Sequence, residues 1–288
     1  MTATARIIVD GVDTFARFRV FALETGLNDL LAYPPLKPVE ANDWHEQEGI
    51  DADLSAPRLN GREVTIKIGA TGELGAPQTI AKIEAFLAFL RQSVYRVFRF
   101  AFLGGREYTL RLVGEPNLTI AQALGFVTLK FADDYPLKGY TYRAPTSGVP
   151  KSYDYFVDRW TLTDYGARVT EGTLAEFARR ADVKVGLTRN IATAHGVIGD
   201  ARGTVKQKSK EVKMRLHFRA ETFAELWRNY DALLYDLTRP GARTIRVRDL
   251  GNRDYQAYYK SAQVTAFYPD DRPWLDTTIT LVILREPN

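Results

Sequence analysis

Polar and apolar side chains alternate along Glu63-Val64-Thr65-Ile66-Lys67-Ile68. The same alternation returns at Glu211-Val212-Lys213-Met214-Arg215-Leu216-His217-Phe218, an offset of 148 residues from Glu63 to Glu211. A period of two predicts a strand with one buried face. After each strand the period changes. Ile80, Ile83, Leu87 and Leu90 fall at helical spacing in the first copy, and Phe223, Leu226, Trp227, Tyr230, Leu233 and Leu234 in the second. Thr222, with Glu225 three residues on, predicts a capping box at the second helix. Pro77 alone marks the entry of the first.

The closing segments match most closely. Arg99-Phe100-Ala101-Phe102-Leu103-Gly104-Gly105-Arg106-Glu107-Tyr108 parallels Arg246-Val247-Arg248-Asp249-Leu250-Gly251-Asn252-Arg253-Asp254-Tyr255, now 147 residues apart (Arg106 to Arg253). Leu-Gly-Gly and Leu-Gly-Asn are turn sequences, because Gly and Asn tolerate positive φ. A last strand follows in each copy, at 126–131 and 278–284, and further strands are predicted near Ile7–Phe21 and Tyr155–Leu162. Two offsets that agree within one residue predict a tandem duplication. The fold class is α+β, two units of mostly antiparallel sheet, each flanked by one helix. Pro145, Ser147, Gly148 and Pro150 set the boundary: a first domain over 1–140, a linker over 141–151 and a second domain over 152–288.

A long irregular arm precedes each of the two alternating strands. The first, about Tyr33 to Gly61, carries Glu40, Asp43, Glu46, Glu48, Asp51 and Asp53 around Trp44, with no Lys or Arg between Glu40 and Asp53. The second, about Arg189 to Lys210, carries Arg202, Lys206, Lys208 and Lys210 against Asp200 alone. Structureless stretches of this length inside a domain are uncommon and usually functional. The opposite charges at equivalent positions predict arms that reach neighbouring subunits and pair there, disfavouring wrong partners.

Composition narrows the chemistry. The absence of cysteine excludes disulfides and thiolate metal sites, and a net charge of +4 in 288 residues is no concentrated nucleic-acid patch. No apolar run reaches bilayer length, and Met1–Asp10 lacks the pattern of a signal peptide, so neither membrane insertion nor export is expected. His45, His195 and His217 share no metal-ligand spacing. Gly69, Gly72 and Gly75 match neither a dinucleotide fingerprint nor a P-loop, and the second copy has no glycine at the equivalent place. The adjacent acids Asp133-Asp134 and Asp270-Asp271 would point to opposite faces of an extended chain, which is poor geometry for shared acid–base work. No catalytic, metal or cofactor site is predicted, and the chain is not expected to be an enzyme.

The stretch Pro34-Pro35-Leu36-Lys37-Pro38, Asn42-Asp43-Trp44 and Gly49-Ile50-Asp51-Ala52-Asp53-Leu54-Ser55-Ala56-Pro57, leading into Arg62-Glu63-Val64-Thr65-Ile66, resembles the N-terminal region of distal tail (Dit-like) proteins of long-tailed phages. The order of elements in both halves is similar to the wider tail-tube family. That resemblance implies tail-tube-like domains of packed sheets that join into a ring around a channel. It implies assembly in the host cytoplasm, a place in the virion tail, and tail tube, hub and tape-measure proteins as neighbours. DNA would be a partner only by passage. Distal tail proteins usually carry a carbohydrate-binding C-terminal domain, whereas here the second half repeats the first. Two ring domains per chain favour a trimer with pseudo-sixfold symmetry, with a hexamer as the other closed form. A repeating trimeric tube subunit or hub is the alternative within this class, and a duplicated carbohydrate- or ligand-binding module is the alternative outside it.

Overall fold

In the computed structural model, which describes residues 6–23, 27–72, 75–121, 123–137, 139–186, 188–193, 195–199 and 204–287, both alternating segments are ten-residue strands near one side of a seven-stranded sheet. The first half contains β1 (Ile7–Val9), β2 (Val12–Asp13), β3 (Val20–Ala22), β4 (Ala41–Asn42), β5 (Asp51–Ala52), β6 (Arg62–Thr71), β7 (Tyr95–Phe100), β8 (Arg106–Ala121) and β9 (Leu124–Asp133), with helices α1 (Thr14–Phe18), α2 (Asn28–Leu31) and α3 (Ala76–Leu90). The second contains β10 (Tyr155–Val157), β11 (Trp160–Thr161), β12 (Ala167–Val169), β13 (Thr188–Asn190), β14 (Val197–Gly199), β15 (Lys210–Arg219), β16 (Arg243–Val247), β17 (Arg253–Tyr268) and β18 (Trp274–Arg285), with α4 (Thr173–Ala178) and α5 (Phe223–Leu237). Residues 162–165 form a short 3-10 turn where the first half has α1.

Strand order is β2-β1-β7-β8-β9-β6-β3 in one sheet and β11-β10-β16-β17-β18-β15-β12 in the other, and every pairing is antiparallel. Element for element the two orders are the same. β8 and β17 are both 16 residues long, and α3 and α5 both 15. The architecture is mostly antiparallel sheet with few helices, an α+β fold. Both Leu-Gly turns form as their sequences require, with positive φ at Gly104, Gly105, Gly251 and Asn252.

The period-two pattern decides the packing. Val64, Ile66 and Ile68 are buried on one face of β6, and Val212, Met214, Leu216 and Phe218 on one face of β15. Phe86 and Ile83 of α3 and Leu226, Tyr230 and Leu233 of α5 complete the core, which runs as one contiguous cluster through both halves. At the start of α5, Thr222 accepts from the Glu225 amide at 3.2 Å. The Glu225 carboxylate reaches Glu221 N and Gly148 N instead of closing a reciprocal box.

Segment 141–151 runs along α5: Tyr142 Oη donates to Asp236, Thr146 N donates to Asn229 Oδ1 at 2.9 Å, and Asn229 Nδ2 donates back to Thr146 O. Asn229 is a buried side chain that satisfies a passing backbone, which ties the segment down. The arms, irregular in sequence, each hold a two-stranded antiparallel ribbon, β4–β5 in the first and β13–β14 in the second.

Candidate assembly surface

The seam between the halves is built from loops of the first and the helix and long strand of the second. Trp227 Nε1 of α5 donates to Leu103 O at 2.8 Å, in the turn between β7 and β8. Arg106, at the start of β8, makes a bidentate pair with Asp231 of α5 at 2.8 and 2.9 Å and lies 4.7 Å over the Trp227 ring. Burial works against the Arg106 charge, but the Asp231 carboxylate more than offsets it, so the guanidinium is held charged well above its ordinary range.

Beside this pair, the Tyr33 ring packs tilted against Tyr230 with centroids 4.1 Å apart, and its hydroxyl donates to Tyr230 O at 2.6 Å. Tyr230 Oη donates in turn to Leu31 O, and Tyr259 Oη to Pro34 O. Leu36 N donates to Lys260 O at 2.9 Å, so the first arm begins as a strand-like neighbour of β17. Burial raises the Tyr33, Tyr230 and Tyr259 hydroxyl pKa values, which keeps each a neutral donor.

Most of the predicted arm residues are exposed, and several meet across the seam. Glu40, Asp43, Trp44, Glu46, Glu48, Asp51 and Asp53 are all solvent-facing, and Asp53 Oδ1 accepts from Ser55 N. Asp43 lies 2.5 Å from Lys184 Nζ, which also donates to Trp44 O and Gly49 O at 2.6 Å. Lys184 is only 7% exposed, so the acidic arm closes round a buried ammonium. Glu48 accepts from Gln207 N at 2.7 Å and lies 3.7 Å from Lys206, while Gly49 N and Ile50 N donate to Gln207 O and Leu284 O. The acidic arm and Lys206 of the basic arm thus touch inside one chain.

Lys208 is exposed and its amide donates to Asp182 O. Arg202 lies outside the described residues. Lys210, expected in the basic arm, is instead the buried first residue of β15. Its ammonium pairs with Glu286 at 2.7 Å and donates to Phe177 O and Arg179 O at the end of α4. Arg62 does the same in the first half, pairing with Asp133 and donating to Leu30 O and Ala32 O at the end of α2. The resemblance drew attention to that Arg; the equivalence with Lys210 was readable from the 148-residue offset.

Sequence reasoning missed Lys184, Arg106 and Asp231. Lys184 had no local signal, because its partners are carbonyls 135 and 140 residues away. Arg106 sat inside the repeated motif, but nothing there marked its partner.

Other candidate chemistry disperses. Asp133 and Asp134 point apart, to Arg62 and to Arg111 respectively. His217 Nδ1 contacts Asp276 Oδ1 at 2.6 Å on the polar face of β15, while His45 and His195 stay in the arms. A cleft of about 430 Å³ at the seam is lined by Arg62, Arg106, Tyr108, Asp133, Tyr140 and Asp231, and both of its arginines are already paired with carboxylates. Among the described residues no group of three or more His, Cys, Asp or Glu side chains could hold a metal ion, and no helix is long and apolar enough to cross a membrane.

No protein-family model matches the sequence, and no curated protein matches it. Among solved structures the chain is similar to the crystal structure of SPP1 Dit (gp 19.1), described there as a paradigm of the hub adsorption apparatus in phages infecting Gram-positive hosts. The identity is 12%, the TM-score 0.36, and the match covers 96% of this chain and 98% of that one.

Proposed function

We propose that this chain is a structural, ring-forming component of a phage or prophage tail, of the distal-tail type that connects tail tube to tip and encloses a DNA channel. The observation that carries the ring is the head-to-tail character of the seam. Loops of one unit (27–36 and 101–106) meet the helix and long strand of a second unit of the same strand order. Contacts between unlike surfaces on like units generate a ring when the rotation closes. The phage assignment is supported by the resemblance of residues 34–66 to distal tail proteins.

In this reading the halves arose by tandem duplication, with units over 1–140 and 152–288 and the connector 141–151 fixed on α5. Three chains supply six positions. The arms join neighbouring units, the acidic one within the chain and the second one between copies. Tail tube, hub and tape-measure proteins are the neighbours above and below.

Negative-stain microscopy with mass measurement on the full chain tests this. Annular particles of three chains are expected. Long tubes would make the chain a repeating tube subunit instead, and a monomer that binds sugar would overturn the reading.

A further inference from the structure

The seam leaves two surfaces of the same design unused. Inside the chain the donor side is Leu27, Leu36, Leu103 and Arg106, and the acceptor side is α5 with β17. The 147-residue offset places Leu174, Val183, Leu250 and Arg253 on the outer end of the second half, and α3 with β8 on the outer end of the first. The chemistry carries over with the positions. Arg106 becomes Arg253, and its partner Asp231 becomes Glu84; both are solvent-facing, and among the described residues neither has an ion-pair partner. Leu36, bridged to Leu59 and bonded to Lys260 O, becomes Val183, bridged to Gln207 in the same way.

Burial differs in the direction an unused seam requires. Leu27 is 3% exposed and Leu174 is 40% exposed, and Val183 is 57% exposed. The arms follow suit. Gly49 is wedged against Leu284, whereas its counterpart Gly196 has open space around it, and Val197 and Ile198 beside it are 61% and 52% exposed. Isolated apolar side chains on a surface need no explanation, but a set that repeats the buried half of an existing interface does.

We infer that the second half of one copy docks on the first half of the next through a repeat of the internal seam, with Arg253 of one copy paired to Glu84 of its neighbour. The occupant of the exposed α3 and β8 surface is therefore a second copy of this chain, presented by its Leu174, Val183, Leu250 and Arg253 side. This rests on the ring reading and adds its contact. A charged pair over an apolar patch fixes which end meets which, since two like ends would bring Arg253 to Arg253 or Glu84 to Glu84.

Oligomeric state by light scattering and native mass spectrometry on the full chain tests it, with Arg253→Glu, Glu84→Arg and the double variant. Because both residues face solvent, the circular dichroism spectra should match the parent. Each single reversal is expected to weaken association at least about tenfold, and the double reversal to restore it. If the unaltered chain is monomeric, the ring reading falls and this contact with it. If the unaltered chain forms rings that either single reversal leaves intact, the contact is overturned while the ring stands. Dissociation by both single variants without recovery in the double variant also overturns the pairing.

Discussion

α3 and α5 follow corresponding strands, have the same length and lie at corresponding places in two sheets of the same order, yet they live in different surroundings. α3 buries one stripe, Thr79, Ile83, Phe86, Phe89 and Leu90, and leaves Glu84 and Ala88 in solvent. α5 buries Leu226, Trp227, Tyr230, Leu233, Leu234 and Leu237 together with the polar Asn229 and Asp236, because loops of the first half cover Trp227 and Tyr230 while segment 141–151 and Tyr165 cover Asn229 and Asp236. A helix apolar on one stripe packs on one sheet, and a helix covered on several faces joins two bodies. The same scaffold thus serves once as an outer wall and once as the contact between the halves, with Ile80 on α3 at the place that Trp227 takes on α5.

Truncating those two positions gives the largest contrast. Trp227→Ala removes a ring under Arg106 and the hydrogen bond to Leu103 O, and should cost about 3–5 kcal/mol. Ile80→Ala, at the half-buried counterpart on α3, should cost about 1–2 kcal/mol in the isolated chain. Urea unfolding of both variants reads the difference. Equal losses would mean that α3 is as enclosed as α5, and the contrast would collapse.

The two arm glycines give a smaller one. Gly49 and Gly196 both have positive φ, +66° and +78°, so alanine at either should cost about 1–2 kcal/mol of backbone strain. At Gly49 the new methyl also meets the Leu284 carbonyl, adding about 1–3 kcal/mol unless the acidic arm lifts off. Hydrogen exchange at the Ile50 amide, bonded to Leu284 O, should accelerate in Gly49→Ala and stay unchanged in Gly196→Ala. Acceleration in both would mean that the arms are coupled rather than one seated and one free.

Much of this contrast was legible in the sequence. The alternation at 63–68 and 211–218, the turns at Gly104 and Gly251 and the shared offset are local patterns, and each became the element its period implied. The wide apolar face of the second helix, with Trp227 and Tyr230 beside Leu226 and Leu233, was also visible, although what would cover it was not. Tertiary partners were the illegible part. Lys210 read as one more charge in a basic run, because nothing local marks a strand end that turns a lysine toward the carbonyls of α4. Lys184 read as nothing, because its site is made of backbone carbonyls, which every residue has. The ribbons β4–β5 and β13–β14 were missed because each is only two or three residues per strand, too short for a period to register.

The smallest contrast lies in two carboxylates that hold surface arginines. Arg111 donates to Asp134 through two nitrogens at 2.7 and 3.0 Å, and Tyr95 Oη adds a third hydrogen bond at 2.9 Å. Arg246 makes a similar two-nitrogen contact with Asp254, at a different place in the second half. The arginine lowers the carboxyl pKa in both cases, and at Asp134 Tyr95 lowers it further, against some burial. A carboxylate with a depressed folded pKa stabilises the fold above its unfolded value of about 3.9, and that stabilisation is lost as pH falls through the folded pKa. Asp134→Asn should therefore flatten the acid limb of a stability-against-pH curve below about pH 4 more than Asp254→Asn does. The loss at neutral pH should stay under about 1 kcal/mol for Asp134, since the pair is partly solvated and screened by salt. A steeper acid limb in either variant would mean that the carboxylate destabilises the fold, and would reverse the sign assigned to these pairs.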